Sequence, residues 1–195
     1  MACLYHAACG GSGLPKSGGQ VLVLTGPPGV GKTTTARALA AHADRPAVHL
    51  HADDFWHFIK CGAIPPYLPA ADEQNQTVMQ ALAQATAAYA RGGFFVVVDG
   101  IVGPWFLQPF RAIAAPLHYV VLRVPLPTAL ERCRRRGGDT LTASGPISSL
   151  HEQFATLGAL EHHAIDLDGH RPEQAQAAVR EALTSGRFRL PPQLP

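Results

Sequence analysis

Short apolar runs alternate along the chain with longer stretches in which apolar residues recur every three or four positions. The first run, VLVLT at 21–25, is rich in β-branched residues and ends at a glycine, as expected for a strand buried on both faces of a parallel sheet. Comparable runs predict strands over 47–51, 94–98, 117–124 and, from a weaker pattern, 162–167. Helices are predicted over 32–43, 72–91, 127–137, about 146–160 and 172–186. The alternation predicts a three-layer α/β fold, with about five parallel strands and helices on both faces of the sheet.

Length and composition indicate one compact domain. The chain has 195 residues, of which 47% are hydrophobic and 15% are charged, so it is globular rather than disordered. We expect the domain to span 20–186. The Gly/Ser-rich segment 1–19 is expected to be flexible, and the Pro-rich tail 187–195 is expected to be loose.

Charge and cysteine content exclude several classes of partner. The formal net charge is +2, which gives no electrostatic case for binding nucleic acid. No apolar run approaches the roughly 18 residues of a membrane span. The four cysteines form no C-x-x-C pair and no zinc spacing, which indicates reduced thiols and a cytoplasmic protein. Neither a membrane nor nucleic acid is therefore an expected partner.

A glycine-rich loop follows the first predicted strand. The residues GPPGVGKT at 26–33, called the phosphate loop below, fit the pattern G-x-x-x-x-G-K-[ST]. Backbone N–H groups in such a loop form a nest for anions, and the N-terminus of the following helix favours phosphates. Lys32 is expected to reach the β- and γ-phosphates of ATP, and the Thr33 hydroxyl to ligate Mg²⁺; GTP is not distinguished from ATP. The expected nucleotide-binding residues are Gly26, Gly29, Val30, Gly31, Lys32, Thr33 and Thr34.

Acidic residues follow the next two strands. Asp53 and Asp54 come after the second predicted strand, and Asp99 ends the third. The carboxyl ends of parallel strands meet at one edge of a sheet, so these acids should converge with the phosphate loop. Asp53 or Asp54 could instead cap the next helix. The neighbouring aromatic residues, including Phe55, could line an acceptor pocket or belong to the core.

Arginines cluster at the end of the helix predicted over 127–137, in the run RCRRRGG, and a Gly/Thr/Ser loop follows. A mobile lid that carries arginines would exclude water and neutralise a migrating phosphoryl group. The alternative is a solvated helix face.

Three classes of phosphate-loop protein can be compared on these features. Motor ATPases usually place a glutamate after the acid of the third strand, whereas this chain has Asp99-Gly100, and the N-K-x-D base-reading motif of GTPase switches does not occur. A small kinase remains. Alternatives are a nucleoside, nucleotide or polynucleotide-end kinase, and a non-catalytic ATP-binding module.

The ordered segments GPPGVGKTTTA, LHADDF, VVVDG and LERCRRRGG resemble the small P-loop kinases grouped with shikimate kinase and gluconate kinase, particularly the chloramphenicol phosphotransferase-like proteins. The resemblance covers about 20–185 and implies a P-loop NTPase fold with a short Arg-rich lid. It implies that Asp53 holds or deprotonates the acceptor hydroxyl, with Asp54 less favoured. It also implies that Asp99 binds a Mg²⁺-bound water or the substrate. The implied lid cations are Arg132, Arg135 and Arg136, with Arg136 acting in catalysis.

The sequence departs from that group at two places. It has no G-G-G loop after the third strand, and His51 stands where gluconate- and shikimate-type chains carry the first acid of D-x-D. Both departures disfavour those two substrates. The expected function is ATP- and Mg²⁺-dependent phosphorylation of a hydroxyl on a small molecule, such as an antibiotic or a metabolite.

Overall fold

A computed structural model describes residues 18–136 and 143–191. Its sheet has five parallel strands in the order β2-β3-β1-β4-β5. The strands are β1 (Gln20–Thr25), β2 (Ala47–His51), β3 (Phe95–Asp99), β4 (Leu117–Arg123) and β5 (Ala164–Asp166). The helices are α1 (Lys32–Ala41), α2 (Ala52–His57), α3 (Asp72–Arg91), α4 (Gln108–Arg111), α5 (Leu126–Arg136), α6 (Ser144–Gln153) and α7 (Pro172–Ser185).

Helices cover both faces of the sheet, and this explains the continuous apolar runs of the strands. Along β1, Val21 and Val23 pack into a core with Met79 of α3. The alternate residue Leu22 packs on the opposite face with Leu39 of α1 and with the helix α7. Side chains of a strand point alternately to the two faces, so a strand covered on both sides is apolar at every position. The predicted three-layer fold with five parallel strands is confirmed.

The strand order determines where a ligand can bind. The central strand β1 lies between β3 and β4. The connection from β1 leads to β2 on one side of the sheet, whereas the connection from β3 crosses to β4 on the other side of β1. Such a switch point opens a crevice outside the carboxyl ends of the strands. The phosphate loop follows β1 directly and therefore occupies this crevice.

The structure corrects several predicted boundaries. The helices α2 and α4 were not predicted, and the helix expected over 146–160 is the shorter α6 followed by a 3₁₀ segment at Gly158–His163. Residues 1–17 and 137–142, which include most of the expected flexible segment and the centre of the expected lid, lie outside the described residues.

The tail was expected to be loose, and its described part is not. Phe188 and Leu190 are 5% and 3% exposed. The backbone N–H of Leu190 donates to the carbonyl oxygen of Leu117 over 2.8 Å, and that of Tyr119 donates to Phe188 over 2.9 Å. The start of the tail therefore adds to the edge of the core beside β4.

The structure also bears on the expectations about a membrane span and about the cysteines. Among the residues that the structure describes, no helix combines the length and apolar character needed to cross a bilayer. Cys61 is an exposed free thiol and Cys133 is a buried one.

Truncating Leu190 to alanine should lower the free energy of unfolding by about 2–4 kcal/mol, since the side chain is buried and leaves a cavity. Leu68 is 42% exposed, so Leu68→Ala is the matched control and should change stability by about 0.5 kcal/mol or less. Urea denaturation of both variants measures the difference. Equal small effects would show that the tail does not stabilise the fold.

Candidate functional site

The phosphate loop places its lysine inside the loop. Lys32 is the first residue of α1, and its ammonium group donates to the carbonyl oxygens of Gly26 and Pro27 over 2.8 and 2.9 Å. Burial lowers the pKa of Lys32 to about 8, although the charges of Asp99 and Asp53 act in the opposite direction. The loop thus holds a poorly solvated cation that an anion would stabilise strongly.

The other predicted loop residues lie around this cation. Val30 is 2% exposed and anchors the loop in the core with Leu22 and Leu24. Thr34 is exposed, and Gly31 is the N-cap of α1. The N-terminus of a ten-residue helix and the loop therefore face the same crevice, as binding of a phosphate requires.

Asp99 is the most heavily hydrogen-bonded acid of the site. It ends β3 and is fully buried. Its carboxylate accepts hydrogen bonds from the Thr33 hydroxyl (2.6 Å), His49 Nε2 (2.5 Å) and His51 Nδ1 (3.1 Å). Burial alone would raise the pKa of Asp99, but these three donors hold it well below its usual range. The carboxylate is therefore ionised at neutral pH.

Thr33 and Asp99 form a pair of oxygen donors next to the loop. Hydroxyl and carboxylate oxygens suit Mg²⁺, which keeps several waters and binds proteins through few side chains. In the described part of the chain, no group of three or more His, Cys, Asp or Glu side chains could hold a metal ion. The pair could thus hold Mg²⁺ only together with ligands from phosphate or water.

Asp53 and Asp54 lie in the first turn of α2, two and three residues after the last residue of β2. Asp53 is 60% exposed, and one of its carboxylate oxygens lies 3.5 Å from His51 Nε2. His51 is the N-cap residue of α2, and no side chain caps that helix, so neither acid has the capping role considered as the alternative. Asp54 is exposed, and Phe55 packs against Phe58 and the core.

The three predicted lid arginines are placed differently. Arg132 lies within 3.4 Å of the Gly29 carbonyl oxygen, and Arg136 is close enough to Lys32 for its charge to lower the lysine pKa. Arg135 is exposed, and its Nε donates to Glu131 over 2.8 Å. The structure therefore brings two of the three arginines toward the loop.

A cavity of about 230 Å³ lies beside the phosphate loop at the ends of β4 and β5. Its walls combine apolar and polar side chains, from Pro27, Arg123, Val124, Pro125, His151, Phe154, Ala155 and Asp166. Arg123 binds Glu161 through two hydrogen bonds of 2.5 and 3.1 Å. This hydrogen bonding, with that from the Leu157 amide, lowers the pKa of Glu161 to about 2. The guanidinium fork of Arg123 is therefore already occupied by a carboxylate.

Sequence reasoning missed His49 entirely and read His51 mainly as a departure from an acidic motif. Both side chains contact Asp99, because β2 pairs with β3 in a register that sets His51 opposite Asp99. The available signal was the pattern H-L-H before two acids, since residues two apart on a strand share a face.

Two glycines of the phosphate loop differ in how closely they pack against α5. Gly29 and Gly31 both have a positive φ, of +83° and +98°. A Cβ added to Gly29 would lie 2.5 Å from the Ala129 carbonyl oxygen, whereas a Cβ added to Gly31 would meet no atom within 4 Å. Gly31→Ala should cost about 1–2 kcal/mol of backbone strain. Gly29→Ala should cost at least about 1 kcal/mol more, because the loop or α5 must move. Equal unfolding free energies for the two variants would contradict this packing.

Comparisons with known proteins identify a family and a shared fold. A family model described as an AAA domain matches residues 21–159. None of the curated proteins matches the sequence. Among solved structures, the chain is similar to a sugar kinase from Janibacter sp. HTCC2649, with 22% identity, TM-score 0.67, and coverage of 85% of this chain and 94% of that chain. A gluconokinase from Sinorhizobium meliloti 1021 has 20% identity and TM-score 0.62, with 85% and 90% covered. The tunicamycin resistance protein of Deinococcus radiodurans has 19% identity and TM-score 0.64, with 89% and 99% covered.

These identities establish a shared fold, and the resemblance to small P-loop kinases is confirmed. The family model spans more than two thirds of the chain and includes the phosphate loop, Asp53, Asp99 and α5. The chain therefore belongs to the AAA domain family of P-loop proteins.

Proposed function

We propose that the protein transfers the γ-phosphoryl group of ATP to a hydroxyl of a small molecule, with Mg²⁺ as cofactor. The supporting observation is a continuous set of contacts at the carboxyl edge of the sheet. Thr33 of the phosphate loop contacts Asp99, Asp99 contacts His51, and His51 lies 3.5 Å from the exposed Asp53. A phosphate cradle and an exposed acid are thereby held side by side, as transfer to an acceptor requires.

The phosphate loop and the cations around it bind the phosphates of ATP. Backbone N–H groups of the loop and the ammonium group of Lys32 hold the β- and γ-phosphates. Arg132 and Arg136 offset negative charge on the migrating group, and Arg135 joins them if it leaves Glu131. The Thr33 hydroxyl and the Asp99 carboxylate would hold Mg²⁺, which supplies charge neutralisation at the phosphates.

Asp53 orients and deprotonates the acceptor hydroxyl. Its carboxylate is exposed, so an acceptor hydroxyl can reach it. The carboxylate accepts a hydrogen bond from that hydroxyl, orients its oxygen toward the γ-phosphate, and takes the proton as the new P–O bond forms. Asp54 and Phe55 border the same space and contact the rest of the acceptor.

The cavity at the ends of β4 and β5 lies on the far side of β1 from Asp53, which follows β2. An acceptor whose hydroxyl contacts Asp53 therefore binds on the β2 side of the phosphate loop and not in this cavity. The similar folds of a sugar kinase and a tunicamycin resistance protein support a small-molecule acceptor, and we infer a cytoplasmic location, where ATP is available.

Replacing Lys32 by alanine should abolish ATP turnover and leave the fold intact. Its ammonium group binds the loop carbonyls and the phosphates, so its loss should cost several kcal/mol of transition-state stabilisation, on the order of 10²–10³ in rate or more. Coupled detection of ADP, with circular dichroism as the control for folding, measures both properties. Wild-type turnover in a folded Lys32→Ala protein would refute the site.

The variants Asp53→Asn and Asp54→Asn should differ sharply. Asp53→Asn keeps the shape of the side chain and should leave ADP affinity nearly unchanged, but phosphoryl transfer should fall by roughly 10²–10⁴ because a positioned base is lost. Asp54→Asn is the matched control and should have a much smaller effect. A screen of sugars and hydroxylated antibiotics supplies the acceptor for the assay.

The reverse ranking of these two variants would move the role to Asp54. Transfer at the wild-type rate by both variants would exclude the mechanism and leave only the nucleotide-binding fold. ATP hydrolysis that no hydroxylated compound stimulates would instead indicate a non-catalytic ATP-binding module.

A further inference from the structure

Two histidines of β2 contact the same buried carboxylate. His49 and His51 are two residues apart, so they lie on one face of the strand. Nε2 of His49 lies 2.5 Å from Asp99 Oδ1, and Nδ1 of His51 lies 3.1 Å from the same oxygen. The two contacts use different ring nitrogens, so the nitrogen that remains for a second contact is Nδ1 in His49 and Nε2 in His51.

His51 has a second contact that His49 lacks. Because its Nδ1 faces Asp99, its Nε2 can face Asp53 and lies 3.5 Å from Asp53 Oδ2. A ring protonated on both nitrogens donates toward both carboxylates, whereas a neutral ring can donate to only one of them. Among the described residues, no other side chain lies within ion-pair distance of the Asp53 carboxylate. The ring is 31% exposed, between a fully buried acid and one that is 60% exposed. His51 therefore bridges the interior of the site and its surface.

We propose that His51 is a positioning residue that fixes Asp53 beside the phosphate loop by tethering it to Asp99. This inference rests on the proposed phosphotransferase function. Asp53 lies in a six-residue helix, and an exposed carboxylate there can adopt several rotamers. The imidazole restricts that choice, because Asp99 holds its Nδ1 and is itself held by the Thr33 hydroxyl. A continuous series of side-chain contacts, through Asp99 and His51, therefore links Thr33 at the phosphates to Asp53 at the acceptor.

The variant His51→Asn separates the two contacts of the ring. The asparagine amide nitrogen takes the place of Nδ1, so a donor to Asp99 remains, but the side chain is too short to reach Asp53. Turnover of an acceptor should fall by about 10²-fold, the effect of a misplacement of about 1 Å, while ADP affinity and melting temperature stay near wild-type values. The control His49→Asn removes a donor to Asp99 without touching Asp53.

A double-mutant cycle tests whether His51 acts through Asp53. In an Asp53→Asn background, His51→Asn should lower turnover little further, because the group that it positions is already lost. His49→Asn should lower turnover by the same factor in both backgrounds. Full additivity of His51→Asn with Asp53→Asn would overturn the proposal, since it would show that His51 acts independently.

Ring NMR signals of the histidines provide a readout that needs no acceptor. Asp53→Asn should shift the ring nitrogen signals of His51, assigned by their loss in His51→Asn, and leave those of His49 in place. Asp54→Asn should shift the His51 signals much less, because Asp54 acts on that ring only through its charge, and should leave those of His49 in place. Unchanged His51 signals in Asp53→Asn would overturn the bridge whatever the enzyme activity. Shifted signals without any turnover would support the bridge and refute the phosphotransferase function instead.

Discussion

The buried carboxylate of Asp99 joins the carboxyl ends of three neighbouring strands. It belongs to β3, accepts from two histidines of β2, and accepts from Thr33, the last residue of the phosphate loop that follows β1. An ionised carboxylate that loses contact with water is costly unless donors replace the water. Its three donors meet that requirement only if all three strand ends keep their relative positions. The geometry of the loop and of Asp53 therefore depends on this one buried charge.

The sequence predicted those features whose signals are local. Strands buried on both faces are continuous apolar runs, as in FFVVV, and the phosphate loop is a contiguous motif, so the sheet and the position of the loop followed without tertiary information. The position of Asp99 at the sheet edge followed from the parallel arrangement, because such strands end at the same edge.

The remaining features depend on long-range contacts that no local pattern records. The roles of His49 and His51 require the register between β2 and β3, which sets His51 opposite Asp99. The packing of Leu190 requires the backbone of β4, more than 70 residues earlier in the chain. The helix α2 has only six residues, too few to show a periodic pattern. Pairing of Arg123 with Glu161 likewise joins two elements that are distant in sequence.

Transfer of the γ-phosphoryl group to an organic hydroxyl is the central claim, and isotope labelling tests it most directly. The protein is incubated with ATP labelled with ¹⁸O at the γ-phosphate, Mg²⁺ and a pooled library of hydroxylated compounds, and the products are analysed by mass spectrometry. The account predicts a phosphate monoester of one library member that carries the labelled oxygens and is absent with Lys32→Ala. Labelled inorganic phosphate as the sole product, at a rate that the library does not change, would contradict it.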